Sequence, residues 1–236
     1  KHSGFRDFTD SASYAPSEDN YKRALIARGA ELLDEYHKAD ASELGAVLLD
    51  LVSGKGGFQS NVLDWRVAKL VADIRKAEPG LMEEATGRLA RGEDAIEAAT
   101  EFVDHIWPAL TEKAPDSRPF AESRTIPTMI RAVIDPQAIL GIRSTPTDNA
   151  ARILLGRPAF GSQPLSAEEL ECVVDLARRI FRVMEADWGW KPRDLWDVQG
   201  FIWETCQKRF APADTRQMPD EGMEKIMEGP INLILY

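Results

Sequence analysis

The chain has 236 residues, of which 44% are hydrophobic and 29% charged, a balance typical of a globular protein with a buried core. Its 39 acidic and 29 basic side chains give a net charge of −10, which argues against a protein that coats nucleic acid with its whole surface. One basic face is still compatible with that charge. No apolar run approaches the roughly 20 residues of a membrane span and no signal-peptide pattern occurs, so we expect a cytoplasmic protein without membrane contacts.

The first half of the chain predicts five helices after an irregular segment at residues 1–16. Helix-spaced apolar residues and polar N-caps indicate helices over 17–36, 41–53, 80–91 and 93–113. Between the helices over 41–53 and 80–91, a further helix is expected to start at a Ser60 cap and to end before Pro79. The helix over 93–113 is expected to bend or end near Pro108.

The second half predicts four more helices. Two prolines make residues 114–120 the best candidate for an internal subdivision. Helices are then expected over 122–134, with Pro127 in the first turn, and over 145–155, 166–187 and 193–210. Ser166 and Glu169 form a capping-box pattern at the start of the longest one.

The chain after the last helix has a different character. Residues 211–229 read as a linker, and residues 230–236 end in "INLILY", an aliphatic run typical of a buried β-strand. The sequence therefore predicts an all-α domain of about nine helices over 17–210, a tether, and the first strand of a further domain. A strand without neighbours is not stable, so we expect the chain to be truncated at this point.

No pattern of catalytic residues emerges from the sequence. It contains no Gly-x-Ser-x-Gly elbow, no His-Glu-x-x-His and no Gly-x-Gly-x-x-Gly. Two cysteines and three histidines are too few and too scattered for a local zinc site. We therefore expect no catalytic residues, cofactor or metal within this stretch of chain.

Tryptophans and basic side chains are the candidate binding residues. Trp188 and Trp190 lie in a predicted loop where exposure would allow stacking on bases, whereas the spacing of Trp196 and Trp203 favours core packing. Basic side chains recur at helical spacing, and each could contact a phosphate or simply belong to a solvated face with acidic neighbours. The candidates for DNA binding are Arg66, Lys69, Lys76, Arg143, Arg152, Arg178, Arg182, Trp188 and Trp190.

Several stretches support a family resemblance. "INLILY" resembles the first strand of the AAA+ core in McrB-like proteins, the GTPase subunits of McrBC-type modification-dependent restriction systems, where that strand leads into the Walker A loop. The stretches "SNVLDWRVAKLV", "TIPTMIRAVIDP" to "NAARILLG", and "PRDLWDVQGFIWETC" are similar, more loosely, to helical regions upstream of such motors.

The resemblance implies a division of labour within a longer protein. An AAA+ core following this region would bind and hydrolyse GTP or ATP with Mg²⁺, assemble into a ring and recruit a McrC-like nuclease subunit. The N-terminal region would select the target, often modified DNA, in anti-phage defence. None of the family's nucleotide-binding residues falls within this sequence.

Two functions remain open at this stage. A DNA-recognition domain predicts a compact basic face close to an exposed aromatic side chain. A protein-interaction or sensor module that regulates the same motor fits the acidic charge and predicts an exposed apolar patch instead.

Overall fold

The structure, a computed structural model, describes residues 7–9, 19–55, 62–114 and 119–207, and every regular element within these ranges is a helix. The prediction of an all-α body with about nine helices is confirmed for this part of the chain. The predicted linker and terminal strand lie outside the described residues. The nine helices are α1 (Asn20–Glu35), α2 (Ala41–Val52), α3 (Trp65–Ala77), α4 (Leu81–Arg91), α5 (Ala95–Lys113), α6 (Phe120–Ile134), α7 (Ser144–Leu155), α8 (Ala167–Ala186) and α9 (Leu195–Cys206).

Side-chain caps explain where several helices begin. Ser166 and Glu169 form the predicted capping box at α8. The prediction that Ser60 caps α3 is wrong, because Asp64 takes that place and accepts hydrogen bonds from the amides of Arg66 and Val67. Aspartate is as good an N-cap as serine, and α3 therefore begins later in the chain than we expected.

Two prolines lie inside helices that continue past them. α5 runs on through Pro108, where we expected a bend or an end, and Pro127 is well inside α6 rather than in its first turn. Proline normally costs about 3 kcal/mol within a helix. Buried residues flank both prolines, such as Leu110 after Pro108 and Met129 after Pro127, and their burial offsets this cost.

α6 is the central helix of the core. Every residue from Ser123 to Val133 is buried, and α1, α2, α4, α5 and α7 pack around it. Because α5 and α6 pack against each other, the apolar core is continuous across the predicted subdivision at residues 114–120. None of the described helices is long and apolar enough to cross a membrane.

α2 and α4 cross with their backbones in contact. A Cβ atom on Gly45 would lie 1.7 Å from the carbonyl oxygen of Glu83, and one on Gly87 would lie 1.8 Å from that of Ala41. Only glycine fits at either position, so the two residues fix how closely these helices approach.

An ion-pair network connects the starts of α1 and α9, and we call it the α1–α9 network. Arg23 pairs with Asp19, Asp194 and Asp197, and Arg193 pairs with Asp19 and Asp197. Asp197 is 1% exposed, and the guanidinium of Arg193 donates to it at 2.7 Å from Nη2 and 3.0 Å from Nε. The network therefore holds the first and last described helices together through side chains.

Candidate nucleic-acid interface

The three basic candidates on α3 are all exposed. Lys69 pairs with Asp73 at 3.1 Å, as expected for a solvated helix face. Arg66 lies over the ring of Trp65, 5.1 Å from its centroid, and Trp65 is 71% exposed. Lys76 lies further along the same helix. Trp65 is not among the predicted binding residues, although it is the exposed aromatic side chain next to one of the candidate cations.

The two candidates on α7 have different surroundings. Arg152 is exposed and pairs with Asp148 of its own helix at 2.9 Å. Arg143 is half-buried, with its guanidinium 5.9 Å from the ring of Trp203. It lines a cavity of about 410 Å³, whose wall also includes Tyr21. An ion-paired Arg152 is a poor phosphate ligand, whereas Arg143 lies in a recess.

α8 provides a cavity that is lined by two of the candidate cations. Arg178 and Arg182 lie one helical turn apart and, with Arg179, line a depression of about 510 Å³. We call these three residues the α8 arginine cluster. None of them forms an ion pair within the described part of the chain, although Asp175 lies on the same wall. Arg179 is not among the nine predicted DNA-binding residues, but it lines the same depression as Arg178 and Arg182.

No protein-family model, curated protein or solved structure matches this chain. Its function therefore has to be argued from its own surface.

Trp188 and Trp190 pack against each other rather than presenting free ring faces. Their ring centroids lie 4.6 Å apart, and Phe201 of α9 lies 5.7 Å from the first and 6.0 Å from the second. Both rings are half-buried, where we expected exposure. The reason is the turn after α8, in which Gly189 and Lys191 adopt positive φ angles of 65° and 51° and fold the two rings back onto α9.

The other two tryptophans of this region differ in burial. Trp196 is 2% exposed, and its Nε1 donates to the carbonyl of Ala132 at 2.7 Å, so its predicted role in the core is confirmed. Trp203 is only half-buried and faces Arg143. The seven-residue spacing correctly placed both on the inner side of α9 but did not distinguish a core position from the edge of a cavity.

The candidate cations thus fall into three groups on α3, α7 and α8. α3 packs on α4 and α5, whereas α8 packs on α5, α7 and α9. No cavity among the described residues is lined by candidate cations of both α3 and α8. The α8 arginine cluster is therefore the group in which two candidate cations line the same depression.

Titratable groups in the described ranges provide little for metal binding or nucleophilic chemistry. No group of three or more histidine, cysteine, aspartate or glutamate side chains there is arranged to hold a metal ion. Burial raises the pKa of the Cys206 thiol, which keeps it protonated and poorly nucleophilic.

Proposed function

We propose that this chain is a nucleic-acid recognition module that contacts DNA phosphates through the α8 arginine cluster. The observation that carries the proposal is the presence, around one depression, of three neighbouring arginines that form no ion pair with any carboxylate in the described ranges. In a chain with 39 acidic residues, carboxylates to pair with them are abundant. A cluster left unpaired beside so many carboxylates suits a polyanionic ligand, because neighbouring like charges repel until an anion lies between them.

The spacing of the cluster suits a phosphate backbone. Arg178 and Arg182 are separated by a rise of about 6 Å along the helix, and their long side chains can contact neighbouring phosphates of one strand. The guanidinium group is the side chain best adapted to bidentate phosphate contacts. Such contacts fix the position of a protein on a duplex without reading its sequence.

The resemblance to McrB-like motors supplies the biological setting of the proposal. In that setting the module delivers an AAA+ motor, with GTP or ATP and Mg²⁺, to modified DNA in anti-phage defence. A ring of motors and a McrC-like nuclease subunit would then act on the bound DNA in the cytoplasm. The modified base and these partners rest on the resemblance alone, whereas phosphate contact rests on the α8 arginine cluster.

The first test is a mobility-shift titration with unmodified, cytosine-methylated, hydroxymethylated and glucosylated duplexes at two salt concentrations. The double variant Arg178→Ala/Arg182→Ala should bind about tenfold or more weakly and lower the slope of log affinity against log salt by about two. The matched control is Arg152→Ala, which removes an exposed arginine already paired with Asp148 and should leave binding unchanged.

The titration also separates the parts of the proposal. A preference for one modified duplex that persists at high salt would establish a target reader, because counterion release alone does not discriminate modifications. Equal binding to all four duplexes would leave a non-specific DNA contact. No binding at tens of micromolar, or a double variant that binds like the control, would contradict DNA binding through α8.

One observation favours a second candidate function, a protein-interaction module. Trp65 is the one large hydrophobic side chain among the described residues that is strongly exposed, and Arg66 lies over its ring. Tryptophan and arginine supply much of the binding energy at protein interfaces. This function would lead if the titration detects no DNA binding.

A further inference from the structure

Arg124 of α6 is a buried arginine without an ion-pair partner in the described chain. It is 7% exposed, and its Nη2 donates to the carbonyl oxygens of Gly161 at 2.9 Å and Gln163 at 3.2 Å. Nη1 and Nε have no acceptor among the described residues. The ring of Phe160 lies 4.4 Å from Cζ and covers one face of the guanidinium. Buried charges are normally paired, so the free donors of Arg124 require an explanation.

The N-terminus of α7 lies beside this arginine and has no cap. No side chain caps the helix, and its first turn contains no acidic residue. The amides of Ser144 and Thr145 therefore remain without the intrahelical acceptors that later residues have. The hydroxyl of Ser144 is also buried without a hydrogen-bond partner. Unpaired donors and the positive end of the helix dipole point to the same place.

These groups line a single cavity. Arg124, Ser144 and Thr145 share the wall of an open cavity of about 480 Å³, which Asn149 and Phe160 complete. This volume is within the range of small-molecule sites in proteins. The cavity combines a buried cation, an unpartnered hydroxyl and an uncapped helix end, three independent features that each favour an anion.

One acidic side chain, Asp148, lies on the same wall, but its hydrogen-bonding capacity is used elsewhere. Its Oδ1 accepts from the amides of Ala159 at 2.9 Å and Phe160 at 3.4 Å, and its Oδ2 pairs with Arg152 at 2.9 Å. Glu169, the other carboxylate near Arg124, accepts from the amide of Gly161 at 2.7 Å. Neither carboxylate forms an ion pair with Arg124 at 4.0 Å or less. Burial outweighs their field and lowers the pKa of Arg124 from its usual value.

We propose that Arg124, Ser144 and Thr145 form a binding site for the phosphate group of a small ligand. We call these residues the α7 phosphate site. The site offers the guanidinium, two hydroxyls and two backbone amides as donors. The three terminal oxygens of a phosphate monoester can accept from more of these donors than the two oxygens of a carboxylate can.

The α7 phosphate site is separate from the proposed DNA contact. It borders the loop that Glu169 anchors at the start of α8, and Glu169 precedes Arg179 by ten residues, or about 15 Å along the helix axis. The ligand lies in a cavity rather than on the outer face of α8, so a free or terminal phosphate suits it better than the continuous backbone of a duplex. This inference does not depend on the proposed DNA binding.

The test exploits the exposed position of Thr145 in the first turn of α7. Thr145→Glu places a carboxylate at the positive end of the helix, where it favours the fold and occupies the site. Thr145→Gln is the matched neutral control. Calorimetric titrations and melting temperatures would be measured with inorganic phosphate and with a nucleoside 5′-monophosphate, against sodium chloride of equal ionic strength.

We expect both phosphate probes to bind the wild type and, more weakly, Thr145→Gln, which loses one of the two hydroxyls of the site, and to raise the melting temperatures of both. Thr145→Glu should bind either probe about tenfold or more weakly than Thr145→Gln, because its carboxylate occupies the donors of the site and repels the phosphate. It should also melt higher than Thr145→Gln in chloride alone. Tighter binding of the monophosphate would assign the site to a phosphomonoester, and equal binding would assign it to free phosphate; both support the site.

Two results would overturn the inference. One is a wild type that responds to neither probe beyond the chloride control, and the other is a Thr145→Glu variant that responds as the wild type does. The double variant Arg178→Ala/Arg182→Ala should keep its full response to phosphate, and Thr145→Glu should keep any DNA binding. A failure of one proposal can therefore be told apart from a failure of the other.

Discussion

Asp197 accepts four hydrogen bonds through its side chain, more than either other carboxylate of the α1–α9 network, and three of the four come from guanidinium groups. Arg193 donates to it from the backbone amide and two guanidinium nitrogens, and Arg23 donates from Nη2 at 3.0 Å. Both arginines are less than two-fifths exposed, at 26% for Arg23 and 33% for Arg193. Removing the shared carboxylate would leave two partly buried cations with fewer partners.

We therefore expect Asp197→Ala to lower the free energy of unfolding by about 3 kcal/mol, the scale of a broken buried ion pair. Urea denaturation followed by circular dichroism would measure the change. Asp73→Ala is the matched control, because it breaks the exposed pair with Lys69 and should cost no more than about 0.5 kcal/mol. Equal losses in the two variants would mean that burial adds nothing to the network.

Residues such as Arg124 and Arg131 show where prediction from sequence stops at this scale. Arg131 is 5% exposed, and its Nη1 donates to the carbonyls of Leu89 and Ala90 at the end of α4, about forty residues earlier in the chain. Local sequence contains no sign of partners so far away. An arginine within an apolar stretch is therefore predicted to be solvent-exposed, although distant backbone carbonyls accept hydrogen bonds from it inside the core.

At the scale of helices, the crossing of α2 and α4 makes a specific prediction about glycine. Alanine normally favours a helix over glycine by about 1 kcal/mol. At Gly87 we expect the opposite sign, because the new Cβ would lie 1.8 Å from the carbonyl oxygen of Ala41. Gly87→Ala should therefore lower the free energy of unfolding by roughly 2 kcal/mol or more, as overpacking against backbone does.

Gly161→Ala is the control for that variant. Its nearest neighbour would be the flexible carboxylate of Glu169 at 3.4 Å, so the substitution should change stability little. Thermal or urea denaturation of both variants measures the contrast. A stabilising Gly87→Ala would show that the two helices can separate without cost.

The positions of the helices could be predicted from the sequence, whereas how deeply each helix is buried could not. Apolar spacing and polar caps gave all nine described helices, including the Ser166 capping box of α8. The errors concern Ser60 and Pro127, where a different cap or an earlier helix start overrides the local rule. α6 is buried all round, so its periodicity could not indicate which face meets the core.

For the whole molecule, the α1–α9 network predicts sensitivity to acid. Burial opposes ionisation of Asp19, but hydrogen bonds from Arg193 and Arg23 outweigh it and lower the pKa of this carboxyl below its usual value. A lowered pKa in the folded state stabilises the fold above the unfolded pKa of about 3.9, and that contribution is lost as the pH falls below it.

The free energy of unfolding should therefore fall as the pH decreases from about 5 to below 3, and it should fall less steeply in Asp19→Asn. Part of the dependence should remain in the variant, since backbone hydrogen bonds from Glu97 and Ile96 also lower the pKa of Asp94. Urea titrations at several pH values measure both slopes. Parallel curves for the variant and the wild type would exclude Asp19 as a source of acid sensitivity.

The candidate site was predictable only in part, because it depends on how helices are arranged in space. Helical spacing alone brings Arg178 and Arg182 together, and the structure adds Arg179. Whether the cations of α3, α7 and α8 share one face is a tertiary question that periodicity does not address. The same holds for Trp188, whose partner Phe201 lies on the next helix.

The α1–α9 network also bears on the rates at which the protein folds and unfolds. Its pairs join residues far apart in the chain, 171 positions for Arg23 with Asp194 and 174 for Asp19 with Arg193. Contacts that close such long loops form after local helices have packed, because closing the loop costs chain entropy before the contact stabilises the fold. Interactions absent from the transition state act on unfolding alone. We therefore expect the network to lengthen the lifetime of the folded chain and to leave the speed of its formation unchanged.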